Sequence, residues 1–397
     1  MSVAALRQRV GDVLVEHEAV DVDGLAVGAT AQPADADGIS LLLRHASELG
    51  MAAIPCGSRT QITFGNLPQR ADFLLSTQRL RGVNDFDPGE GVCHVAAGTR
   101  LDALRAEVEA HGWRVPLDLP GPCSVGGAVA TGLIGPRAHG MGLPRDAVLG
   151  LEVVHASGVQ TRCGARVVKN VTGYDLAKLY TGSLGTLGVL TAAWLRLQPA
   201  PAAERALEIP VAFAEAVDLA LEVSGAASLQ ACVLSTTPQG PRLWVELAGD
   251  APGVDARAHS LIRDHAAREA ELSDFEEVAQ CQHGCGEREL RFRLAVSPRQ
   301  LASAWARLAR AGARLVVHPG LSLVYAWFGA DAAESAFVEV AEVAGTGEWW
   351  CEAAPSRIKQ GRDVFGDMGA RLPLVRALKH SFDAGAVLNP GRFAGRI

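Results

Sequence analysis

Apolar residues return every three to four positions over residues 37–49, where Ile39, Leu42, Leu43 and Ala46 share one face, and this spacing predicts an amphipathic helix. A short apolar run at 51–55 reads as a strand and leads into the turn Cys56-Gly57-Ser58-Arg59-Thr60. Runs at 73–75 and 92–96 predict two more strands, and a helix is expected over 100–110 with Thr99 as its cap. Residues 149–154 and 159–162 have the pattern of a hairpin around Ala156-Ser157-Gly158, and 185–197 reads as one long strand.

The pattern changes after Gln198-Pro199-Ala200-Pro201-Ala202-Ala203. From 204 to 350 the order is β-α-β-β-α-β-α-β-β-α-β, with helices near 212–224, 252–270, 298–312 and 331–344. That order suggests two ferredoxin-like halves, an antiparallel sheet with helices on one face, so the fold class is α+β. Three parts are expected: a first domain over 1–200, an α+β domain over 204–350, and a segment over 351–397. The last part ends in a helix over 372–382 and the turn Leu388-Asn389-Pro390-Gly391-Arg392. Its basic residues, Arg357, Lys359, Arg362, Arg371, Arg376, Lys379 and Arg392, are either a solvated tail or a segment folded back on the first domain near an anionic ligand.

Composition narrows the class of protein without naming a chemistry. The 397 residues are 48% hydrophobic and 20% charged, the make-up of a packed globular protein with two or three domains. A net charge of −7 argues against a nucleic-acid-binding surface, and the apolar content argues against disorder. The N-terminus has no secretory pattern, and the most apolar window, 321–328, is far short of the ~20 residues that span a bilayer. Eight scattered cysteines fit a reduced, cytoplasmic chain. Cys281, His283 and Cys285 form the one cluster, but no second Cys/His pair follows at zinc-like spacing, so no metal is expected.

Glycine carries the strongest signal. Eight glycines fall between Gly121 and Gly150, against about three expected from 43 in the whole chain. Because glycine costs more entropy to order than other residues, such density implies turns with positive φ or backbone pressed against a ligand. The neighbours Val125, Ala128, Val129, Ala130, Leu133 and Ile134 rule out a polar linker and favour an ordered loop that wraps something. Together with the turn at 56–60, it offers two stretches whose backbone N–H groups could converge on a pyrophosphate. Neither a Gly-x-Gly-x-x-Gly dinucleotide motif nor an ATP-binding P-loop is present.

Residues 166–191, Arg-Val-Val-Lys-Asn-Val-Thr-Gly-Tyr-Asp-Leu-Ala-Lys-Leu-Tyr-Thr-Gly-Ser-Leu-Gly-Thr-Leu-Gly-Val-Leu-Thr, resemble the PCMH-type FAD domain of the vanillyl-alcohol oxidase / p-cresol methylhydroxylase superfamily. Within it they are most similar to the FAD-binding subunits of bacterial glycolate oxidase and their D-2-hydroxyacid dehydrogenase relatives. Ser124-Val125-Gly126-Gly127, the stretch 132–137, the stretch 145–150 and the end at 382–392 fit the same group. The resemblance implies a two-lobed FAD-binding domain with a ferredoxin-like cap domain, and FAD held without a covalent bond. It puts the cofactor on Cys56, Gly57, Ser58, Arg59 and Thr60, on Ser124, Val125, Gly126, Gly127, Ala130, Thr131, Gly132 and Leu133, and on Gly188 and Val189. The sequence departs from the family at Arg59, where a second glycine is usual. An arginine there is costly if φ is positive, yet its guanidinium could pair with the pyrophosphate. The first loop has no histidine for a flavin bond, and Cys123 lies one residue out of register with a sulfur attachment point.

The family's dehydrogenases carry a His-x-Gly-(Asp/Glu)-Gly-Asn-x-His segment that places a metal and a base over the flavin. This chain has none. Its nearest fragments, His283-Gly284-Cys285-Gly286 and His318-Pro319-Gly320, have the wrong neighbours, and His318 reads as a packed strand residue. The catalytic residues are therefore unknown. Lys169, Asn170 and Tyr174 either border the flavin ring or, for Tyr174 with Asp175, form a hydrogen-bonded turn before a helix. Three readings stay open. One is an FAD-binding subunit that docks a catalytic flavoprotein and an iron–sulfur subunit and oxidises a small 2-hydroxy acid to a 2-oxo acid within that complex. The second is a stand-alone FAD-dependent dehydrogenase acting on D-lactate or glycolate. The third is a scaffold that has lost FAD. A cytoplasmic location is implied, with any contact to the inner membrane made through partners.

Overall fold

The computed structural model describes residues 3–166, 174–281 and 285–397. It divides into two units. The first comprises Met1–Leu133, Pro144–Pro199 and Lys359–Ile397, and the second Ile134–Leu143 with Ala200–Ile358. Residues 134–143, inside the stretch expected as the first domain, therefore pack with the second unit.

The first unit has two lobes. One is a four-stranded sheet of β1 (Leu14–Val22), β2 (Leu25–Ala31), β3 (Ala53–Cys56) and β4 (Phe73–Ser76), in the order β1-β2-β4-β3 with β3 parallel to β4. The helix Ala36–Glu48 begins where Asp35 accepts a hydrogen bond from the Gly38 amide at 2.8 Å. It buries Ile39, Leu42, Leu43 and Ala46 in a core with Leu14, Phe73 and Leu75. The other lobe contains β5 (Val83–Asp87), β6 (Val92–Ala96), β8 (Val148–Val154), β9 (Gln160–Gly164) and β10 (Val189–Arg196), ordered β5-β6-β10-β8-β9. Two short strands, β7 (Trp113–Arg114) and β11 (Gln198–Pro199), pair separately.

Three local expectations change. Thr99 does not cap the helix Leu101–Glu109; its hydroxyl is taken by the Gly82 backbone, accepting from N–H at 2.9 Å. The strand expected over 185–197 begins only at Val189, because Leu184 and Gly185 take φ of 55° and 66° and turn the chain. The basic C-terminal residues are not all a solvated tail. Val387 and Leu388 lie beside Ala53, with Ala53 N–H donating to Val387 at 2.7 Å and Asn389 N–H to Ala53 at 2.9 Å. Lys379 is buried and donates to Asp383 at 2.6 Å and to the Thr186 and Leu388 carbonyls at 2.8 Å.

The second unit is one eight-stranded antiparallel sheet. Its strands are β12 (Ala203–Pro210), β13 (Leu229–Thr237), β14 (Gly240–Gly249), β15 (Arg268–Ala270), β16 (Glu289–Ala295), β17 (Arg314–His318), β18 (Leu323–Gly329) and β19 (Trp349–Ala353). The order β15-β12-β14-β13-β17-β18-β16-β19 is the ferredoxin-like arrangement twice over, joined edge to edge at β13 and β17. Sequence order had missed β15 and the helix Leu272–Cys281, reading one helix over 252–270. That helix stops at His265 because Ala266 turns left-handed, φ 53°. Along β16 the side chains alternate. Phe292 packs edge-on to Phe337 at 4.9 Å, and on the other face Arg291 and Arg293 share the buried carboxylate of Glu352 at 3.3 and 3.1 Å.

Candidate functional site

The site grows from the end of β3. Ala53 and Ile54 are buried and Pro55 and Cys56 half-buried, and the strand ends where Gly57 begins a turn across the carboxyl edge of the sheet. That turn faces the helix Val125–Thr131 and the start of β10. Between them lies an open cleft with about 110 Å³ available to the centre of a water-sized sphere. Cys56, Gly57, Ser58, Arg59 and Thr60 all line it, as do Ser124, Gly126, Gly127, Ala130, Thr131, Gly188 and Val189.

The two glycine-bearing segments have different roles. In the turn, the backbone N–H groups of residues 57–61 donate to no other group among the described residues. Arg59 has φ 62°, so the turn passes through the left-handed region, the geometry in which successive amides converge on an anion. The second segment, expected as a loop, is a helix. Ser124 caps it by accepting from the Gly127 amide at 3.1 Å, and Gly132 ends it with φ 59°. Its first amides are already committed, Val125 to the Thr99 carbonyl at 2.9 Å and Gly126 to the Ala97 carbonyl at 2.8 Å. Val125 is fully buried and lies off the cleft, as do Gly132 and Leu133.

Glycine is required here by close approach. A Cβ on Gly57 would meet Ser124 Oγ at 1.9 Å, so the turn and the helix touch backbone to side chain. A Cβ on Gly126 would meet Ala97 Cβ at 2.8 Å, whereas one on Gly127 meets only Ser124 Oγ at 3.0 Å and otherwise takes up cleft space. Ile54, Ile62, Phe64, Leu119, Leu184 and Leu190 supply apolar wall.

Two lining residues arrive from far along the chain: Asn389, which sequence reading did not single out, and Arg392, which it placed in a segment that is either a solvated tail or folded back near an anionic ligand. Asn389 lines the cleft; its Nδ2 donates to the Leu184 carbonyl at 2.7 Å, which leaves Oδ1 as a buried acceptor with no partner. Arg392 also lines it, but its guanidinium is committed to Asp23 at 3.0 Å and to the Asn66 and Ile62 carbonyls. Asp23 is buried and also receives Lys359 at 2.8 Å, so one carboxylate holds two basic residues of the C-terminal segment. The turn Leu388 to Arg392 resembled the family, yet nothing in its spacing placed it at the cleft.

Burial pushes the Cys123 thiol up to about 11 and also raises Cys56, against the opposing pull of the Arg59 guanidinium beside it. Both stay thiols at neutral pH and are poor nucleophiles. His318 is fully buried, edge-on to Tyr325, and burial pushes it down to about 3, so it is a neutral packed residue, as its sequence context suggested. Tyr174 is exposed and is not among the described residues that line the cleft, while Asp175 caps the helix Leu176–Tyr180 through the Lys178 amide at 3.3 Å. Lys169, Asn170 and His283 lie outside the described residues.

The unpaired amides of the turn, the unpaired Arg59 Nε and the glycine-lined wall fit a long ligand with an anionic middle and flat, partly apolar ends, and FAD has that form. Known proteins point the same way. Residues 27–164 match the family described as FAD binding domain. The chain is 40% identical over 172 residues to the mitochondrial D-2-hydroxyglutarate dehydrogenase of Bos taurus, covering 43% of this chain and 32% of that protein. It is 39% identical over 140 residues to the glycolate oxidase subunit GlcE of Escherichia coli, covering 34% and 40%. It is 32% identical over 267 residues to the glycolate oxidase subunit GlcD of Bacillus subtilis, covering 64% and 55%. In each case the chain spans less than two thirds of the relative's own length. A solved alkyldihydroxyacetonephosphate synthase superposes with a TM-score of 0.70 over 98% of this chain and 85% of that one, a likeness of fold at 15% identity. Among the described residues no helix is long and apolar enough to cross a membrane. The two-lobed unit with its double ferredoxin-like companion is the PCMH-type architecture, and the chain carries an FAD-binding domain whose cofactor is FAD.

Proposed function

We propose that the chain is an FAD-dependent oxidoreductase acting on the CH–OH group of a small 2-hydroxy acid. In this reading it serves as the FAD-binding subunit of a glycolate oxidase or D-2-hydroxyacid dehydrogenase type of complex, beside a catalytic flavoprotein and an iron–sulfur subunit. The supporting observation is the cleft itself, with free amides at 57–61, apolar walls and Arg59, a cation with no carboxylate partner among the described residues. Bound FAD supplies two-electron redox chemistry. The chain's own residues do the rest: the turn amides of 57–61 bind negative charge, Gly127 leaves room, and Leu119, Leu184 and Leu190 exclude water.

Oxidation at an alcohol carbon also needs a base within hydrogen-bond reach of the hydroxyl. Among the described lining residues the charged groups are Arg59 and Arg392, and a guanidinium offers hydrogen-bond donors only. The partner is therefore assigned the substrate chemistry, and this chain the holding of flavin. The contrasting reading, a stand-alone dehydrogenase, is favoured by the likeness to the D-2-hydroxyglutarate dehydrogenases, and the test must separate the two. A cytoplasmic location belongs to the same proposal and rests on the cysteine pattern. The test is to purify the full chain, measure its FAD content, and run it through size exclusion with candidate flavoprotein and iron–sulfur subunits. Stoichiometric flavin and co-elution are expected; a flavin-loaded chain that ignores both subunits would contradict the subunit role.

A further inference from the structure

We infer that Arg59 is the cation that binds the diphosphate of FAD, at a backbone position that glycine would occupy without strain. This rests on the FAD reading above and adds to it one residue that acts through charge.

Arg59 has φ 62°, in the left-handed region where a Cβ crowds the following carbonyl. Such a conformation persists at a non-glycine residue when the surrounding fold imposes it, and it clusters at ligand sites. Within the chain, little repays it. Arg59 makes no ion pair among the described residues, and its Nε is buried with no hydrogen-bond partner. Its nearest titratable neighbour is the Cys56 thiol, which its charge pulls down against the effect of burial. The other cation in the cleft, Arg392, is neutralised by Asp23 and saturated by two carbonyls. The turn therefore presents one guanidinium that touches the Cys56 thiol but has no carboxylate partner among the described residues, its Nε unpaired, in the middle of a run of five unpaired amides, residues 57–61.

A buried donor left unpaired is costly, and a guanidinium presents a planar fork suited to two oxygens of a phosphate. The ligand group that satisfies the amides and the guanidinium together is a diphosphate. The arginine thus exchanges backbone ease in the empty protein for charge pairing in the loaded one. Glycine at this place would do the reverse, and the two effects have opposite signs in experiment.

The test compares wild type with Arg59→Gly and with Arg59→Asn, which tolerates the left-handed region but carries no charge. The flavin-free full-length chain is titrated with FAD and, separately, with riboflavin, which has no phosphate, following flavin fluorescence; melting of the flavin-free protein is recorded alongside. Losing charge-assisted hydrogen bonds is expected to weaken FAD by ~10–100-fold in both variants. Riboflavin affinity should stay as in wild type, and the melting temperature of flavin-free Arg59→Gly should not fall. Unchanged or tighter FAD binding by Arg59→Gly would overturn the inference, and so would an equal loss for riboflavin, which would mean the arginine only shapes the turn. Failure of the cofactor reading looks different, since the wild-type chain itself would then take up no FAD, and the inference would fall with it.

Discussion

Gly57→Ala is the sharpest perturbation the cleft offers. The residue has no positive φ, so alanine is allowed by the backbone and the cost is steric. The added Cβ would stand 1.9 Å from Ser124 Oγ and 2.8 Å from Ser124 Cβ, distances that real contacts do not reach. Two relaxations are available. The turn can move off the helix, at the ~1–3 kcal/mol typical of overpacking. Alternatively Ser124 can rotate, giving up the cap on the Gly127 amide, which is worth about 1 kcal/mol. Either way the edge of the cleft is displaced, and a cost of about 1–3 kcal/mol corresponds to ~5–150-fold in flavin affinity if it falls on the bound state. The assay is fluorescence titration of the flavin-free chain together with its thermal melt. Gly127→Ala is the control: its Cβ meets only Ser124 Oγ at 3.0 Å, so it should weaken flavin binding with little change in melting. Normal flavin affinity and an unchanged melt in Gly57→Ala would refute the assignment of the turn and the helix as opposing walls of the site.

Further outcomes follow from the same geometry. Asp23→Asn leaves Lys359 and Arg392 buried without their shared carboxylate, and should cost about 3–5 kcal/mol in urea unfolding; a negligible loss would contradict the latch. His318, pushed down to about 3 by burial, stays neutral in the fold while the unfolded chain titrates near the ordinary ~6.5. Stability is thus fully present above that unfolded value and falls as pH drops toward about 3, by ~1.4 kcal/mol per pH unit. His318→Phe should therefore lose about 2 kcal/mol less than wild type between neutral pH and about pH 5 in urea titrations, and identical pH profiles would sink this account. Acid precipitation should release all flavin into the supernatant, because Cys56 and Cys123 remain protonated thiols; flavin left in the washed pellet would show a covalent link.

Much of the fold was legible where the signal is local. The strand at Val92–Ala96 and the helix Leu372–Phe382 match their hydrophobic patterns, and the repeated β-α-β-β-α-β order anticipated the doubled ferredoxin-like sheet. The possible left-handed position at Arg59 was likewise readable from the place of the expected glycine, and its φ of 62° is what the structure has. The glycines of 126 and 127 line the cleft, but in a helix that sequence pattern reads as a loop, where Gly126 presses on Ala97. Asn389 and Arg392 could not be seen at the cleft from spacing alone, since Arg392 reaches the Ile62 carbonyl across 330 positions of chain. The Asp23 latch escaped for the same reason: a carboxylate in an N-terminal turn and a lysine at 359 share nothing in sequence.

The proposed subunit role predicts a division of labour between this chain and partner subunits. The flavin-loaded chain, mixed anaerobically with glycolate and then with D-lactate, should keep its oxidised flavin spectrum, because the described residues lining the cleft include no carboxylate or imidazole to accept the hydroxyl proton. Adding the catalytic flavoprotein and iron–sulfur subunits should bring on substrate-dependent bleaching. Rapid bleaching of the chain alone by either acid would contradict the subunit reading and make it a dehydrogenase in its own right.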